Sequence, residues 1–138
     1  MTPKKRVLFL CIGNSCRSPM AEGFARAYGG DVMEASSAGL APATIIQPLT
    51  KKVMRARNIS LDESAPMDLQ IMDPGRYDLI VNLSGCELPF TPACPVADWP
   101  VRDPIQAGEK VYEQVRDEIE SRVIRLVLDL RRERASKS

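Results

Sequence analysis

Cys11 and Arg17, with the five residues between them, are the part of this sequence best suited to chemistry. The run reads Cys-Ile-Gly-Asn-Ser-Cys-Arg and continues into Ser18 and Pro19. A sulfur, a set of backbone N–H groups from Ile12, Gly13, Asn14, Ser15, Cys16, Arg17 and Ser18, and a guanidinium would surround one small concavity. That combination suits a tetrahedral oxyanion. A cysteine at its ordinary pKa is mostly protonated at neutral pH; a helix N-terminus and an adjacent arginine favour its thiolate, and the Ser18 hydroxyl can add a hydrogen bond. Gly13 allows close backbone approach, and Asn14 tolerates a left-handed conformation. Arg17 can hold two oxygens at once, which a lysine could not do. The chain has no histidine, which excludes Ser-His-Asp and Cys-His catalysis. Any proton donor must then be a carboxylic acid or a similar group. Asp103, before Pro104 in a late loop, is the candidate; a turn-forming aspartate is the alternative reading of the same dipeptide.

The elements that must position these groups follow from the apolar pattern. Residues 5–10, with the unbroken apolar run Val7-Leu8-Phe9-Leu10, predict a buried strand feeding the loop. Ser18 is expected to cap a helix running to about residue 28, with Pro19 in its first turn and Gly29-Gly30 stopping it. A second strand is expected over 31–38, a loop over 41–44, and a short helix over 47–57 with Leu49, Val53 and Met54 on one face. A short helix over 67–72, a Pro74-Gly75 turn and a strand over 77–83 follow. A proline-rich loop over 84–97 carries Cys86 and Cys94, and a brief fourth strand lies within 96–101. In the last helix Tyr112, Val115, Ile119, Val123, Leu126 and Leu130 step by three or four, and Glu118 pairs with Arg122. Strands alternating with helices predict an α/β fold with a parallel sheet and right-handed crossovers.

The bulk numbers narrow the partners. At 138 residues and 44% apolar the chain reads as one domain over 1–138, with enough apolar mass for a core. A net charge of +1 gives no field for nucleic acid or membrane. The basic runs lie at the termini. Lys4-Lys5-Arg6 precedes a short apolar stretch without a small-residue cleavage site, so export is not expected and a cytoplasmic location is. The four cysteines are spaced C-x4-C and C-x7-C, so no metal site is expected.

The run from Cys11 to Glu22 resembles the signature of the low-molecular-weight protein tyrosine phosphatases, whose fold the thioredoxin-coupled arsenate reductases share. Ser37-Ala38-Gly39, Asp103-Pro104 and the stretch Val115-Arg116-Asp117-Glu118-Ile119 extend the resemblance over nearly the whole chain. It implies a four-stranded parallel sheet flanked by helices and no cofactor. It implies Cys11 as nucleophile through a phosphocysteine, Arg17 as clamp, and Asp103 as general acid and then base. Asn14, Ser18 and Ser37 would hold the loop in shape. Some arsenate reductases hold a potassium ion near the loop, and Asn14, Glu22, Ser37 and Asp68 are the matching positions.

The two branches imply different substrates. Pro19 follows the phosphatases, where the reductases usually carry glutamine. The 40–48 loop lacks the aromatic wall of phosphotyrosine-selective members, and its length is closer to the reductases. Ile105-Gln106 replaces paired tyrosines. Ser15 is polar, where protein-arginine phosphatases have threonine, so phosphoarginine stays open. A reductase would relay oxidation from Cys11 through cysteines on the loop after the third strand. Here Ser84 stands where the first is expected, Cys86 comes two residues later, and Cys94-Pro95 matches the last. Cys16 could form a protective disulfide with Cys11, as the phosphatases do; simple packing is its alternative. A phosphoprotein phosphatase is thus expected first, an arsenate reductase with thioredoxin as partner second, and a stable phosphocysteine carrier third.

Overall fold

The computed structural model describes residues 3–137. The first strand, β1 (Lys5–Cys11), passes through the middle of a four-stranded parallel sheet of order β2-β1-β3-β4, with β2 spanning Met33–Gly39, β3 Leu79–Asn82 and β4 Val96–Asp98. Having strand neighbours on both edges, β1 must be apolar on both faces, and Val7, Leu8, Phe9 and Leu10 are fully buried. Alternation sends Val7, Phe9 and Cys11 to one face and Leu8 and Leu10 to the other.

The two faces are covered differently. On the Val7–Phe9 face lie three helices: α1 (Arg17–Gly29), α2 (Pro48–Arg55) and α3 (Glu109–Ser136). Their Met20, Phe24, Val53, Met54, Ile119 and Val123 pack on the strands as one core. Burying a side chain such as Phe9 or Phe24 contributes about 2–3 kcal/mol. The α1–α3 contact is close: a Cβ on Gly29 would lie 2.6 Å from Cγ2 of Val127. On the other face Leu8, Leu10, Ala38 and Ile80 are covered by Leu69 and by Met72, Tyr77, Leu88 and Phe90 from irregular segments.

Four expectations need correction. The helix over 67–72 is one 3-10 turn, Leu69–Ile71, capped by the Asp68 carboxylate accepting from Gln70 N. The following Asp73-Pro74 pair opens a second such turn, Pro74–Arg76, since a residue before proline is pushed out of helical backbone. That turn ends with Tyr77 N donating to Pro74 O, so the chain joins the sheet two residues later than the apolar run suggests. In α3 Val127 is buried and Leu126 only half-buried, because 3.6-residue steps from Val123 lead to 127 and 130. Finally, α1 begins at Arg17 with Cys16 in the cap position and no side-chain cap. The Ser18 hydroxyl is used elsewhere.

Candidate active site

The loop between β1 and α1 is built by what surrounds it. Its carbonyls are drawn outward by the 40–47 segment: Leu40 N donates to Cys11 O (3.1 Å), Ala41 N to Ile12 O (2.8 Å), Ala43 N to Gly13 O (2.9 Å) and Gln47 N to Ser15 O (3.0 Å). Gly39, at the end of β2, lets this segment turn against the loop. A Cβ there would sit 2.8 Å from Ile12 O and 3.0 Å from Gly13 C. Asn14 takes the left-handed conformation at φ 51°. With the carbonyls engaged outside, the N–H groups of residues 12–18 find no acceptor among the described residues. Unpaired backbone donors beside a helix N-terminus form a site for an anion.

Cys11 Sγ lies 2.8 Å from Ser18 Oγ, and both residues are buried. Asn14 Nδ2 donates to the same oxygen at 2.7 Å. With that lone pair occupied, the Ser18 proton is free to point at the sulfur. Asn14 Oδ1 in turn accepts from Met67 N at 2.8 Å, and Met67 O accepts from Gly39 N. One asparagine thus joins the sulfur's neighbour to the far wall of the loop.

Arg17 is buried, with its side chain 6% exposed. Its Nη1 donates to Leu83 O (2.6 Å) and Val101 O (3.1 Å), and its Nη2 faces Asp103 Oδ2 at 3.6 Å. The guanidinium is therefore anchored from behind by two carbonyls beyond β3 and β4. Asp103 is exposed, and its Oδ1 accepts from Ile105 N at 3.0 Å. The structure brings Cys11, Asn14, Arg17, Ser18 and Asp103 to one place. It takes Ser37 elsewhere: the Ser37 hydroxyl donates to Glu22 Oε1 at 2.5 Å, and Glu22 also pairs with Arg26 at 2.9 Å. A potassium ion beside Glu22 would have to compete with that guanidinium, and Asp68 is occupied as a cap. These residues do not fit a resident cation. No group of three or more acidic, cysteine or histidine side chains converges anywhere among the described residues.

The other cysteines occupy distinct settings, and all four thiols are free. Cys16 is buried 3.9 Å from Tyr112 Oη and Ser15 Oγ. Burial pushes its thiol up, against the opposing hydroxyls of Thr50, Ser15 and Tyr112. Tyr112 is itself pushed up to about 12, first by burial and then by the charge of Cys16. Cys94 is half-buried against the second core, and burial, with Asp78 adding to it, raises its thiol too. Cys86 is exposed, yet its backbone is tied down. Cys86 N donates to Ser84 Oγ (3.0 Å), Asn82 Nδ2 donates to Cys86 O (2.9 Å), and Ser84 Oγ donates to Asn82 Oδ1 (2.6 Å).

Sequence reasoning missed Met67, Leu83 and Val101. They act through the backbone, which leaves no side-chain signature. Three aromatic side chains are engaged elsewhere. Tyr28 stacks on Phe24, Trp99 lies 5.9 Å from Phe9, and Phe90 covers the second sheet face. Exposed apolar side chains on the loops bearing and flanking the site include Ile12, Ile45, Met67 and Ile105.

Residues 6–136 match the profile of the family described as low molecular weight phosphotyrosine protein phosphatase. The chain belongs to this family. The phosphatase-family chain is also 38% identical over 132 residues to an arsenate reductase of Halalkalibacterium halodurans, covering 87% of this chain and 93% of the relative. It is 30% identical over 127 residues to a glutaredoxin arsenate reductase of Synechocystis sp., covering 89% and 96%. A solved structure of an arsenate reductase in the phosphate binding state superposes with a TM-score of 0.83 at 30% identity, covering 91% of this chain and 98% of that one. The expected α/β fold, four-stranded parallel sheet and family are thereby established, and the chain is an enzyme of a phosphatase and reductase family. Among the described residues no helix is long and apolar enough to cross a membrane.

Proposed function

We propose that this chain is an arsenate reductase, with Cys11 as its nucleophile and a dithiol protein of the thioredoxin or glutaredoxin kind as its electron donor. This reverses the order suggested by the sequence, which put phosphomonoester hydrolysis first. The relatives above support the reversal. The observation that carries the oxyanion chemistry is the loop whose unpaired N–H groups surround a sulfur in contact with Ser18. A mouth flanked by Ile12, Ile45 and Ile105, without an aromatic wall, suits a free tetrahedral anion.

The steps follow from the groups present. Arsenate settles on the loop N–H groups and the Nε and Nη2 of Arg17. Cys11 sulfur bonds to arsenic, and one oxygen departs as water after taking a proton from Asp103. A second thiolate then attacks Cys11 sulfur. The sulfur–sulfur bond forms, the sulfur–arsenic bond breaks, and its electron pair goes to arsenic, which leaves as arsenite. The dithiol donor finally reduces the disulfide by exchange. We assign the second sulfur to Cys86, the exposed thiol of the loop after β3, and a third to Cys94. The Cys94 thiolate attacks Cys86 sulfur, forms the Cys86–Cys94 disulfide that the donor reduces, and releases Cys11 as its thiolate. Cys86 must leave its turn with Asn82 and Ser84 to act. Cys16, held protonated by burial, is a poor attacking thiol.

A second reading rests on Asp103 and Ser84. An acid 3.6 Å from the clamp serves an alcohol leaving group equally well, and the position expected for a resolving thiol holds a buried serine. By this reading the chain hydrolyses the phosphomonoester of tyrosine, or the phosphoramidate of arginine with a guanidine as the leaving group, through a phosphocysteine. The deciding experiment supplies the full chain with arsenate, thioredoxin and its reductase, and separately with an aryl phosphate and phosphoarginine. Arsenite formation that is lost in Cys11→Ser supports the reductase. Turnover of a phosphate ester with no arsenite replaces it by the phosphatase.

A further inference from the structure

A second cleft, of about 540 Å³, opens on the flank of α1. Neither Cys11, Arg17 nor Asp103 lines it, but Asn14 does. One wall is the outer side of α1 at Glu22, Gly23 and Ala27; the other is the 58–67 segment with Ile59, Leu61 and Glu63. The volume lies within the range of small-molecule sites, about 300–1,000 Å³. The wall is kept in place by Gly23: a Cβ there would lie 3.2 Å from both Ile59 Cγ2 and Met54 Cε.

Two properties of the cleft point to a ligand and a consequence. First, its charges do not cancel. Glu22 and Arg26 neutralise each other at 2.9 Å, whereas Glu63 makes no ion pair among the described residues. The remaining field is that of one carboxylate above aliphatic walls from Ile46, Ile59 and Leu61. Second, the cleft shares hydrogen bonds with the nucleophile. Met67 lines it and donates from its backbone to Asn14 Oδ1, and Asn14 Nδ2 donates to the hydroxyl that touches Cys11 Sγ. A ligand that tightens or spreads the 58–67 wall therefore acts on the sulfur through three consecutive hydrogen bonds. Coupling carried by such contiguous contacts is a physical route between sites.

We infer that this cleft is a regulatory site for a small amphipathic cation, an amine or amidine carrying an apolar body, whose binding alters the reactivity of Cys11. The inference goes beyond the proposed reaction and does not depend on which oxyanion is the substrate.

The test uses the full chain and two probes of matched size, phenethylammonium and phenylacetate. Phenethylammonium is expected to saturate with a dissociation constant of about 1 mM, the affinity open to so small a ligand. It should shift the backbone amide resonances of Gly23 and Met67. It should change the rate at which iodoacetamide alkylates Cys11 by a factor of about two to thirty, the usual size of such coupling. Phenylacetate should do neither. Glu63→Gln should weaken binding about threefold, as befits one exposed charge. Ala27→Trp fills the cleft from the exposed side of α1, and Ser64→Trp fills it from the opposite wall. Either should abolish both the resonance shifts and the phenethylammonium-dependent change in the alkylation of Cys11. Equal binding of phenylacetate, binding that survives both tryptophans, or saturation without any change at Cys11 would each overturn the proposal. None of these readouts involves arsenate or a phosphate ester, so failure here is distinguishable from failure of the proposed reaction.

Discussion

The loop at Cys11 and the loop at Cys86 both carry a cysteine beyond the end of a central strand, and they are built in opposite ways. Around Cys11 every carbonyl drawn outward has a partner, the supporting side chains are buried, and the sulfur touches a hydroxyl at 2.8 Å. Around Cys86 the hydrogen bonds are made by the turn to itself, through Asn82 and Ser84, and the thiol faces solvent. The first arrangement is organised before any substrate arrives, and a preorganised set of donors is worth most where charge develops. The second is organised to keep its sulfur where it is, so any redox duty requires the turn to open. On the proposed chemistry the cradle serves either reaction, and the loop after β3 decides whether an electron pair can be supplied.

Substitutions can break this contrast at either end. Cys11→Ser should lower both arsenate reduction and ester hydrolysis by at least about 10⁴-fold, since a serine in the cradle lacks a base to activate it. Steady-state rates with each substrate check this, and residual wild-type turnover on either would move the nucleophile elsewhere. Asn14→Ala removes two side-chain hydrogen bonds and puts alanine at φ 51°. It should cost about 2–3 kcal/mol of stability, read by urea unfolding, with a larger fractional loss of turnover than of substrate binding. Gly39→Ala places a methyl 2.8 Å from Ile12 O and should destabilise by about 1–3 kcal/mol while spreading the loop, visible as weaker inhibition by inorganic phosphate. Asn82→Ala sharpens the other side of the comparison. By releasing the turn it should raise the alkylation rate of Cys86 about threefold and leave that of Cys11 unchanged.

The smallest effect concerns pH. Cys16 and Tyr112 both keep their protons beyond the ordinary values of 9.0 and 10.0, chiefly because burial disfavours their charged forms. A group raised in the folded chain contributes fully below its unfolded value and loses that contribution as pH climbs through the folded one. Their contribution to stability should therefore be constant up to about pH 9 and fall between there and about 12. Tyr112→Phe and Cys16→Ala should each flatten that decline in urea unfolding at pH 8 and 10.5. Equal slopes in the variants and the wild type would remove these two groups from the account.

What the sequence made legible follows the same division. The apolar run over 7–10, the left-handed tolerance of Asn14 and the spacing of Cys11 to Arg17 are side-chain signals, and they led directly to β1, the loop and the guanidinium. The step of the last helix was read correctly except at Leu126, where two apolar neighbours compete for one inward position. The Ser18 expectation failed for a physical reason: a serine at a strand-loop-helix junction can cap the helix or serve the sulfur, and the burial that decides between them is tertiary. The supports of Arg17 at Leu83 and Val101, and of Asn14 at Met67, are backbone groups that every residue carries. The short helix expected over 67–72 was cut to one turn by a proline whose local effect is clear only once the register of β3 is known. The cysteines after β3 could be counted in the sequence, but not whether their turn was closed.

The central claim is that an organised cradle and a separately held pair of loop thiols divide the work. The most direct test assays Cys86→Ala/Cys94→Ala beside the wild type, with arsenate and thioredoxin in one arm and an aryl phosphate in the other. The account predicts that the double variant loses arsenite production while any phosphate-ester turnover, and the alkylation of Cys11, stay at the wild-type level. Undiminished arsenite production by the double variant, or no arsenite from the wild type, would contradict it.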